Sequence, residues 1–295
     1  MTTFIQILVA GLLSGGIYAL VALGLVLIYK ATSVFNFAVG PIMVFGAYFF
    51  WTLLVQAELP LWLSVLLVII CAFIFGMILE RLFMRPLIGQ PILAPIIVCL
   101  ALSGLLRAIT LFFFGGYEYS YPAGIFPSGS WSLGGIFISQ VHVLAFAIAI
   151  AFIGLFALYF RYTRSGLAMR VTAEDHQVAQ NLGIDVKGVF RNAWAIGVLV
   201  ASSGGILLAT LQGVDDTIEL MGLKGFAVVL LGGLESVPGA IVGGLIVGVL
   251  EAMAARYLTV YMGGGIAETF PFIILIVALL IRPYGIFGLE EIERI

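Results

Sequence analysis

Long apolar stretches, each about the length of a bilayer span, follow one another along this chain with few charges between them. A helix crossing a membrane needs roughly 20 mainly apolar residues. Stretches of that kind lie near 4–29, 36–57, 61–81, 92–114, 141–160, 191–212, 221–236, 238–258 and 266–282. They are unbroken and lack the in–out alternation of outer-membrane strands, which excludes a barrel. Hydrophobic residues make up 63% of the 295 positions and charged residues 9%. Soluble domains run near 45–50% and about 25%, so lipid must solvate the difference. The expectation is an all-α, polytopic transmembrane bundle of eight or nine segments forming a single domain over 1–295. The run 221–236 is short and holds Gly222, Gly225, Gly232 and Gly233. It is either a ninth span or a broken or re-entrant helix, which membranes tolerate only where protein or a cavity covers the backbone.

The N-terminal run continues to about Ile28 without a basic leader, so it reads as a retained first helix. Lys30, Arg81, Arg85, Arg161, Arg164, Arg170, Lys187, Arg191, Arg282 and Arg294 fall on one side if that helix runs inward. Glu58, Glu118, Asp215, Asp216 and Glu219 then fall on the other. The excess of basic residues marks the cytoplasmic side. Lys224, Arg256 and the intramembrane Arg107 depart from the pattern.

Several function classes are excluded or weakened. A net charge of −2 with no basic stripe argues against nucleic acid. Cys71 and Cys99 sit in apolar runs and read as packing residues, not a disulfide framework. His142 and His176 show no metal-ligand spacing. A phosphate-binding loop places Gly before Lys, but the lysines here follow Tyr29, Val186 and Leu223. No Gly-x-Ser-x-Gly elbow is present. The chain is expected to bind no cofactor or metal and to be no enzyme. A membrane enzyme working through Glu235, Glu251 or Glu268 is the weaker rival. A secondary transporter is the other, with Phe37-Ala38-Val39 and Phe226-Ala227-Val228 as a faint internal echo.

Two polar stretches interrupt the apolar pattern. Residues 115–140, rich in Gly, Ser, Tyr and Pro, read as an ordered outer loop. Residues 161–190 form the one strongly charged segment, on the predicted cytoplasmic side. Within it Thr172, with Asp175 three residues on, reads as the N-cap of a helix over 172–182. Gly183 would close that helix in the left-handed conformation. Val178, Ala179 and Leu182 are placed on one face, with Ile184 after the cap. A helix this short needs a surface to pack on. That surface is either the protein's own helix ends or a groove of another protein.

The string Thr163-x-x-Gly166-x-x-x-Arg170-x-x-x-Glu174, followed by Ala179-x-x-Leu182-Gly183-Ile184, resembles the coupling segment of ABC-importer permeases. Asn36-Phe37-Ala38-Val39-Gly40 with Phe45-Gly46-Ala47-Tyr48 resembles the early signature of branched-chain amino-acid permeases. Gly232-Gly233-Leu234-Glu235-Ser236-Val237-Pro238-Gly239-Ala240, then Gly243-Gly244 and Gly248-x-x-Glu251, resembles their late signature. The likeness runs in order along essentially the whole chain and points to the shorter, H-type permease subunit of the Liv family.

The resemblance implies a multi-pass subunit of a bacterial or archaeal plasma membrane. Its implied partners are a second permease, two ATP-binding subunits that consume the ATP, and an extracytoplasmic solute-binding protein. Gly166, Arg170, Glu174, Val178, Ala179, Leu182, Gly183 and Ile184 become candidates for ATPase coupling. Ser33, Asn36, Phe37 and Gly40, placed on one helix face, become candidate pathway residues together with Glu251. Gly239, Gly243, Gly244 and Gly248 are expected to serve close helix packing. Glu251 is expected to pair with Arg107 or Arg256, since a lone carboxylate at mid-helix costs about 2.5–3.5 kcal/mol. The expected cargo is an aliphatic amino acid. Family members often carry His where this chain has Val39, which leaves urea, amides or another small polar solute as the alternative.

Overall fold

A computed structural model describes residues 2–91, 93–174 and 176–288. Helix follows helix: α1 (Thr2–Thr32), α2 (Val39–Trp51), α3 (Leu61–Leu79), α4 (Leu93–Phe114), α5 (Gln140–Tyr162), α6 (Arg164–Glu174), α7 (His176–Asn181), α8 (Val186–Gln212), α9 (Thr217–Gly232), α10 (Val237–Tyr257), α11 (Thr259–Met262) and α12 (Ile266–Ile281). A π-helical turn, Thr52–Gln56, extends α2, and another, Glu80–Met84, extends α3. Seven of the described spans are long and apolar enough to cross a membrane, and the 16-residue α12 is a shorter apolar helix. The nine apolar stretches read from the sequence each coincide with a helix. The protein is an all-α, multi-pass membrane protein.

The first helix is the hub. Its residues from Ile17 to Ile28 are buried throughout, enclosed by α10, α8, α5 and α9. Such burial requires backbones to approach closely, and glycine makes that possible. A Cβ at Gly248 would lie 2.5 Å from the Gly11 carbonyl oxygen and the Gly15 Cα, and one at Gly244 would lie 2.6 Å from the Ala19 nitrogen. Gly11 and Gly15 of α1 thus interlock with Gly244 and Gly248 of α10 in a small-xxx-small contact. Gly239 and Gly243 serve the other side of α10: Gly239 lies on Gly232 of α9, and Gly243 on the Val228 carbonyl.

The irregular backbone is not where the sequence suggested. Residues 217–232 form one continuous 16-residue helix, covered by α1, α2, α10 and α12. At 1.5 Å per residue it is about 24 Å long, and its glycines serve packing: Gly222 lies on the Gly40 backbone and Gly232 on that of Gly239. The break falls instead between α1 and α2, where residues 33–36 are non-helical and a turn follows at Phe37–Ala38. Ser33 there adopts φ 54°, uncommon for a non-glycine residue. Protein covers this backbone: Asn36 and Ala38 are buried, as non-helical chain at membrane depth requires.

The two ends of the bundle differ in charge. Lys30 reaches the Glu235 carbonyl and lies over the Phe160 ring. Arg170 donates to the Phe160 carbonyl, and Ile286, just past Arg282, donates to the Leu231 carbonyl. Lys30, Arg161, Arg164, Arg170 and Arg282 therefore share one end. Ile88 packs with Ala179, Val186 and Phe190, which adds Arg85, Lys187 and Arg191 to that end. At the opposite end Tyr119 bridges to Val214, bringing Glu118 beside Asp215 and Asp216. The loop there is ordered, as expected. Tyr48 donates to the Tyr117 carbonyl, Tyr121 donates to Ala47, and Trp51 meets Tyr119 with ring centroids 4.3 Å apart. Burial pushes the Tyr121 phenol well above its ordinary pKa. Residues Ser130–Leu133 and Ile136–Ser139 form a small antiparallel hairpin. It turns on Gly134 and Gly135, both at positive φ, as a two-residue loop requires.

Candidate functional site

Within the charged segment 161–190 the described residues 164–174 and 176–181 are helical, so helix begins eight residues before Thr172. Thr172 lies inside α6 and is fully buried, so it is not an N-cap; its hydroxyl has no partner among the described residues. Its expected partner Asp175 lies outside the described residues, as does Arg294. The cap belongs to Thr163, whose hydroxyl accepts from the Gly166 N–H at 3.0 Å and donates back to the Tyr159 carbonyl. That is the ordinary chemistry of an N-cap residue.

Gly166 is needed because a Cβ there would collide with the Tyr159 and Phe160 carbonyls. Arg170 donates to the Phe160 carbonyl at 2.6 Å and lies over its ring, capping the end of α5. A cation at a helix C-terminus satisfies carbonyls that have no helical partner. Thr163, Gly166 and Arg170 therefore build the corner between α5 and α6. Glu174, at the end of α6, is exposed.

The second half of the segment carries the exposed feature. Gly183 has φ 78° and its N–H donates to Gln180, while the Ile184 N–H donates to Ala179, both at 3.0 Å. These two bonds define a Schellman closure, with glycine at the position the sequence indicated. The apolar residues of α7 do not share one face. Ala179 is buried against Val186 and Phe190, with Ile184 packed on them. Val178 and Leu182 point away, and Leu182 is 68% exposed. A large apolar side chain thus stands out beside a rigid helix end, on the basic end of the bundle.

The early signature forms the connection between α1 and α2. Asn36 accepts from the Ala38 N–H through its side chain and from the Val39 N–H through its carbonyl, which turns the chain into α2. Phe37 stacks on Phe226 of α9 with centroids 5.0 Å apart. Gly40 meets α9 backbone: a Cβ there would lie 2.6 Å from the Glu219 carbonyl oxygen. Because residues 33–38 are not helical, the expected shared face of Ser33, Asn36, Phe37 and Gly40 does not exist. Val39 is 1% exposed and belongs to the core.

Glu251 pairs with neither Arg107 nor Arg256. Its carboxylate meets Lys224 of α9 at 2.5 Å, with side chains 2% exposed for Lys224 and 15% for Glu251. The ammonium also lies 6.0 Å from the Tyr18 ring centroid on α1. One carboxylate oxygen, Oε2, has no partner among the described residues. Arg107 instead approaches Glu219 at 3.6 Å, half exposed on α4. Sequence reasoning treated Lys224 only as an exception to charge asymmetry. The available signal was its position: a lone lysine and a lone glutamate on adjacent spans each need a counter-charge. No group of three or more His, Cys, Asp or Glu residues is placed to hold a metal among the described residues.

Glycine-interlocked spanning helices and a capped, outward-facing element at the basic end define a polytopic helical membrane protein. The same fold occurs in a chain of PsaBC from Streptococcus pneumoniae, solved in complex with a Fab. That chain superposes with a TM-score of 0.53 at 13% identity, over 94% of this chain and 92% of the other. Residues 7–282 match the family described as branched-chain amino acid transport system / permease component, and the chain belongs to that family. It is 33% identical over 308 residues to the high-affinity branched-chain amino acid transport system permease protein BraD of Pseudomonas aeruginosa, covering 99% of this chain and 98% of BraD. It is 31% identical to the corresponding LivH of Escherichia coli K12 over 309 residues, covering 99% and 98%. The probable LivH of Methanocaldococcus jannaschii is 31% identical, with 97% and 93% covered. The chain is a permease component and not an enzyme.

Proposed function

We propose that this permease imports an aliphatic, branched-chain amino acid as one half of a transmembrane pathway. Separate ATP-binding subunits drive it, and an extracytoplasmic solute-binding protein feeds it. Supporting the cargo are its relatives, permease proteins of branched-chain amino acid transport systems, each matched over nearly its full length. Supporting the ATP-driven partnership is one observation above all: Leu182 stands exposed beside the rigid Schellman closure of α7. A helix end whose apolar residue faces outward is suited to a groove in another protein. By the excess of basic residues, that end is cytoplasmic. Val178 and Leu182 make the contact, Glu174 flanks it, Ala179, Gly183 and Ile184 hold α7 in place, and Gly166 and Arg170 set the corner that presents it.

The solute path runs beside the connection between α1 and α2, with Ser33, Asn36 and Phe37 closest to it. Gly40 and Glu251 support that region, Gly40 by letting α2 lie on α9 and Glu251 by holding Lys224. Val39 is buried, so its departure from the family's usual histidine gives no ground for a different cargo. The test is uptake by the reconstituted complex of permeases, ATPases and binding protein. Labelled leucine is offered against urea and a sugar as competitors. Leucine uptake that requires ATP and survives both competitors is expected. Transport by this chain alone, or displacement by the sugar, would overturn the reading.

A further inference from the structure

One ion pair stands at membrane depth without being enclosed. Arg107 of α4 and Glu219 of α9 approach to 3.6 Å, with side chains 56% and 21% exposed. Arg107 lies seven residues, about 10 Å, inside the Phe114 end of α4. Charges within a span are expensive against lipid and face protein or a water-filled cavity. At 3.6 Å the contact is longer than a hydrogen bond, so the guanidinium keeps its planar fork of N–H groups for another carboxylate. The two helices share a neighbour. α4 and α9 both pack on α2, and the chain leading into α2 lies between them. The Cys99 thiol of α4 reaches the Phe37 backbone, and Phe226 of α9 stacks on the Phe37 ring. Arg107 follows Cys99 by eight residues, and Glu219 precedes Phe226 by seven. The pair therefore stands about 10–12 Å from Phe37, toward the acidic end of the bundle.

The surroundings add an apolar side to the two charges. Leu223, one turn inward from Glu219, is 40% exposed, and the partly exposed Phe226 follows it on the same stripe of α9. On α4, a Cβ at Gly104, one turn inward from Arg107, would meet nothing within 4 Å. An α-amino acid carries its carboxylate and its ammonium on one carbon, so its head group matches two opposite charges set side by side. We propose that Arg107 takes the carboxylate and Glu219 the ammonium of the incoming amino acid, whose aliphatic side chain lies on Leu223 and points toward Phe37. The pair is then the outer recognition point of the solute path. It disfavours solutes with one charge or none, which leave a member of the pair unmatched. The identity of the cargo rests on the import reading; the place and charge of the site rest on the geometry.

The experiment uses the complex of permeases, ATPases and binding protein in proteoliposomes. Leucine uptake is measured against the concentration of leucine-loaded binding protein. Arg107→Gln and Glu219→Gln should each lower kcat about tenfold, the loss of one charge-assisted bond, with the half-saturating concentration unchanged. A rise in that concentration at native kcat would make the pair a docking contact for the binding protein and overturn the proposal. Thermal midpoints should stay within a few degrees of native, because a partly exposed pair contributes little to stability. Exchanging the two charges, Arg107→Glu with Glu219→Arg, keeps an ion pair and reverses its order. Native uptake after that exchange would make the pair a tie between helices or to the second permease, and overturn the recognition role. Uptake as low as in the single variants supports it. Leu223→Cys reads binding directly in the complex without binding protein, since a membrane-impermeant maleimide reacts only with a thiol that meets water. Labelling slowed by millimolar leucine, but not by 4-methylpentanoate or 3-methylbutylamine, is expected, and Arg107→Gln should remove the protection. Labelling no greater than that of the native chain would mean that this face meets lipid, and would overturn the site. Native import with both single variants fully active would remove this inference and leave the import function standing. No leucine import by the native complex, with protection by glycine that Arg107→Gln abolishes, would do the reverse.

Discussion

Replacing Lys224 with methionine would leave Glu251 without its cation inside the bundle. The two side chains meet at 2.5 Å, Lys224 is 2% exposed and Glu251 15%. The other carboxylate oxygen has no hydrogen bond among the described residues, and the neighbouring donor, the Tyr18 hydroxyl, carries no charge to replace the ammonium. Removing one member of a buried pair costs about 3–5 kcal/mol, because the remaining charge stays in a medium that cannot solvate it. Glu251→Leu alone should cost a similar amount by stranding the ammonium, softened by the Tyr18 ring beneath it. The double variant removes both charges and fills the space with hydrocarbon. It should recover to within about 1 kcal/mol of the native protein or exceed it. The assay is thermal unfolding of the purified subunit in detergent, read as loss of the monodisperse peak. For chains of this order, each kcal/mol moves the midpoint by about 2–4 °C. The single variants should therefore fall by roughly 10 °C and the double variant by a few degrees at most. Losses that simply add would refute the coupling, since independent sites add and paired ones do not. Transport then separates two roles. A double variant that is stable and active shows the pair to be architectural, whereas one that is stable and inactive places Glu251 in the solute path.

Gly248→Val should abolish insertion or monodispersity, because its Cβ would meet the Gly11 and Gly15 backbone, and forced overpacking costs about 1–3 kcal/mol or more. Gly154→Ala is the matched control, with nothing near its added carbon; expression should be unchanged or slightly improved. Gly183→Val should weaken ATPase co-purification through a left-handed penalty of about 1–2 kcal/mol. Leu182→Asp should abolish co-purification at normal membrane levels by placing a charge in the contact, and full retention by both would exclude α7 from docking. Val39→His should lower thermal stability without changing competition between leucine and urea, because the side chain is buried in the core. A changed preference in a stable variant would show that position 39 reaches the solute.

Much of the site was legible residue by residue, and the errors have one cause. Gly183 could be read because a Schellman closure is local: its bonds run from Gly183 to Gln180 and from Ile184 to Ala179. Thr172 looked like a cap because Thr is a common N-cap residue, but it lies within α6, which starts at Arg164. The true cap, Thr163, lacks an acidic residue three positions on and has Gly166 there instead. Ser33, Asn36, Phe37 and Gly40 were given helical spacing because no proline or glycine pair marks the break. The turn is made by the Asn36 side chain and the positive φ of Ser33, choices that composition does not announce. Arg170 looked available for a partner until the fold placed the Phe160 carbonyl within 2.6 Å.

The sequence alone determined the solvent, the number and placement of the apolar segments and the sidedness of charge. These follow from sums over neighbouring residues, and a span's hydropathy or a loop's excess of arginine needs no knowledge of distant chain. It also carried the family, through motifs spread along the chain in order. Tertiary structure decided which charges meet, where the backbone leaves the helix, and which side of α7 faces outward. Lys224 and Glu251 are 27 positions apart. They touch because Gly239 and Gly243 let α10 lie on the backbone of α9, while Gly244 and Gly248 lock the opposite side of α10 onto α1. Such contacts depend on helix crossings, and crossings depend on how small residues from several segments fit together. Ala179 turns inward and Leu182 outward for the same reason: Val186 and Phe190, with Ile88 beside them, form the surface on which α7 packs.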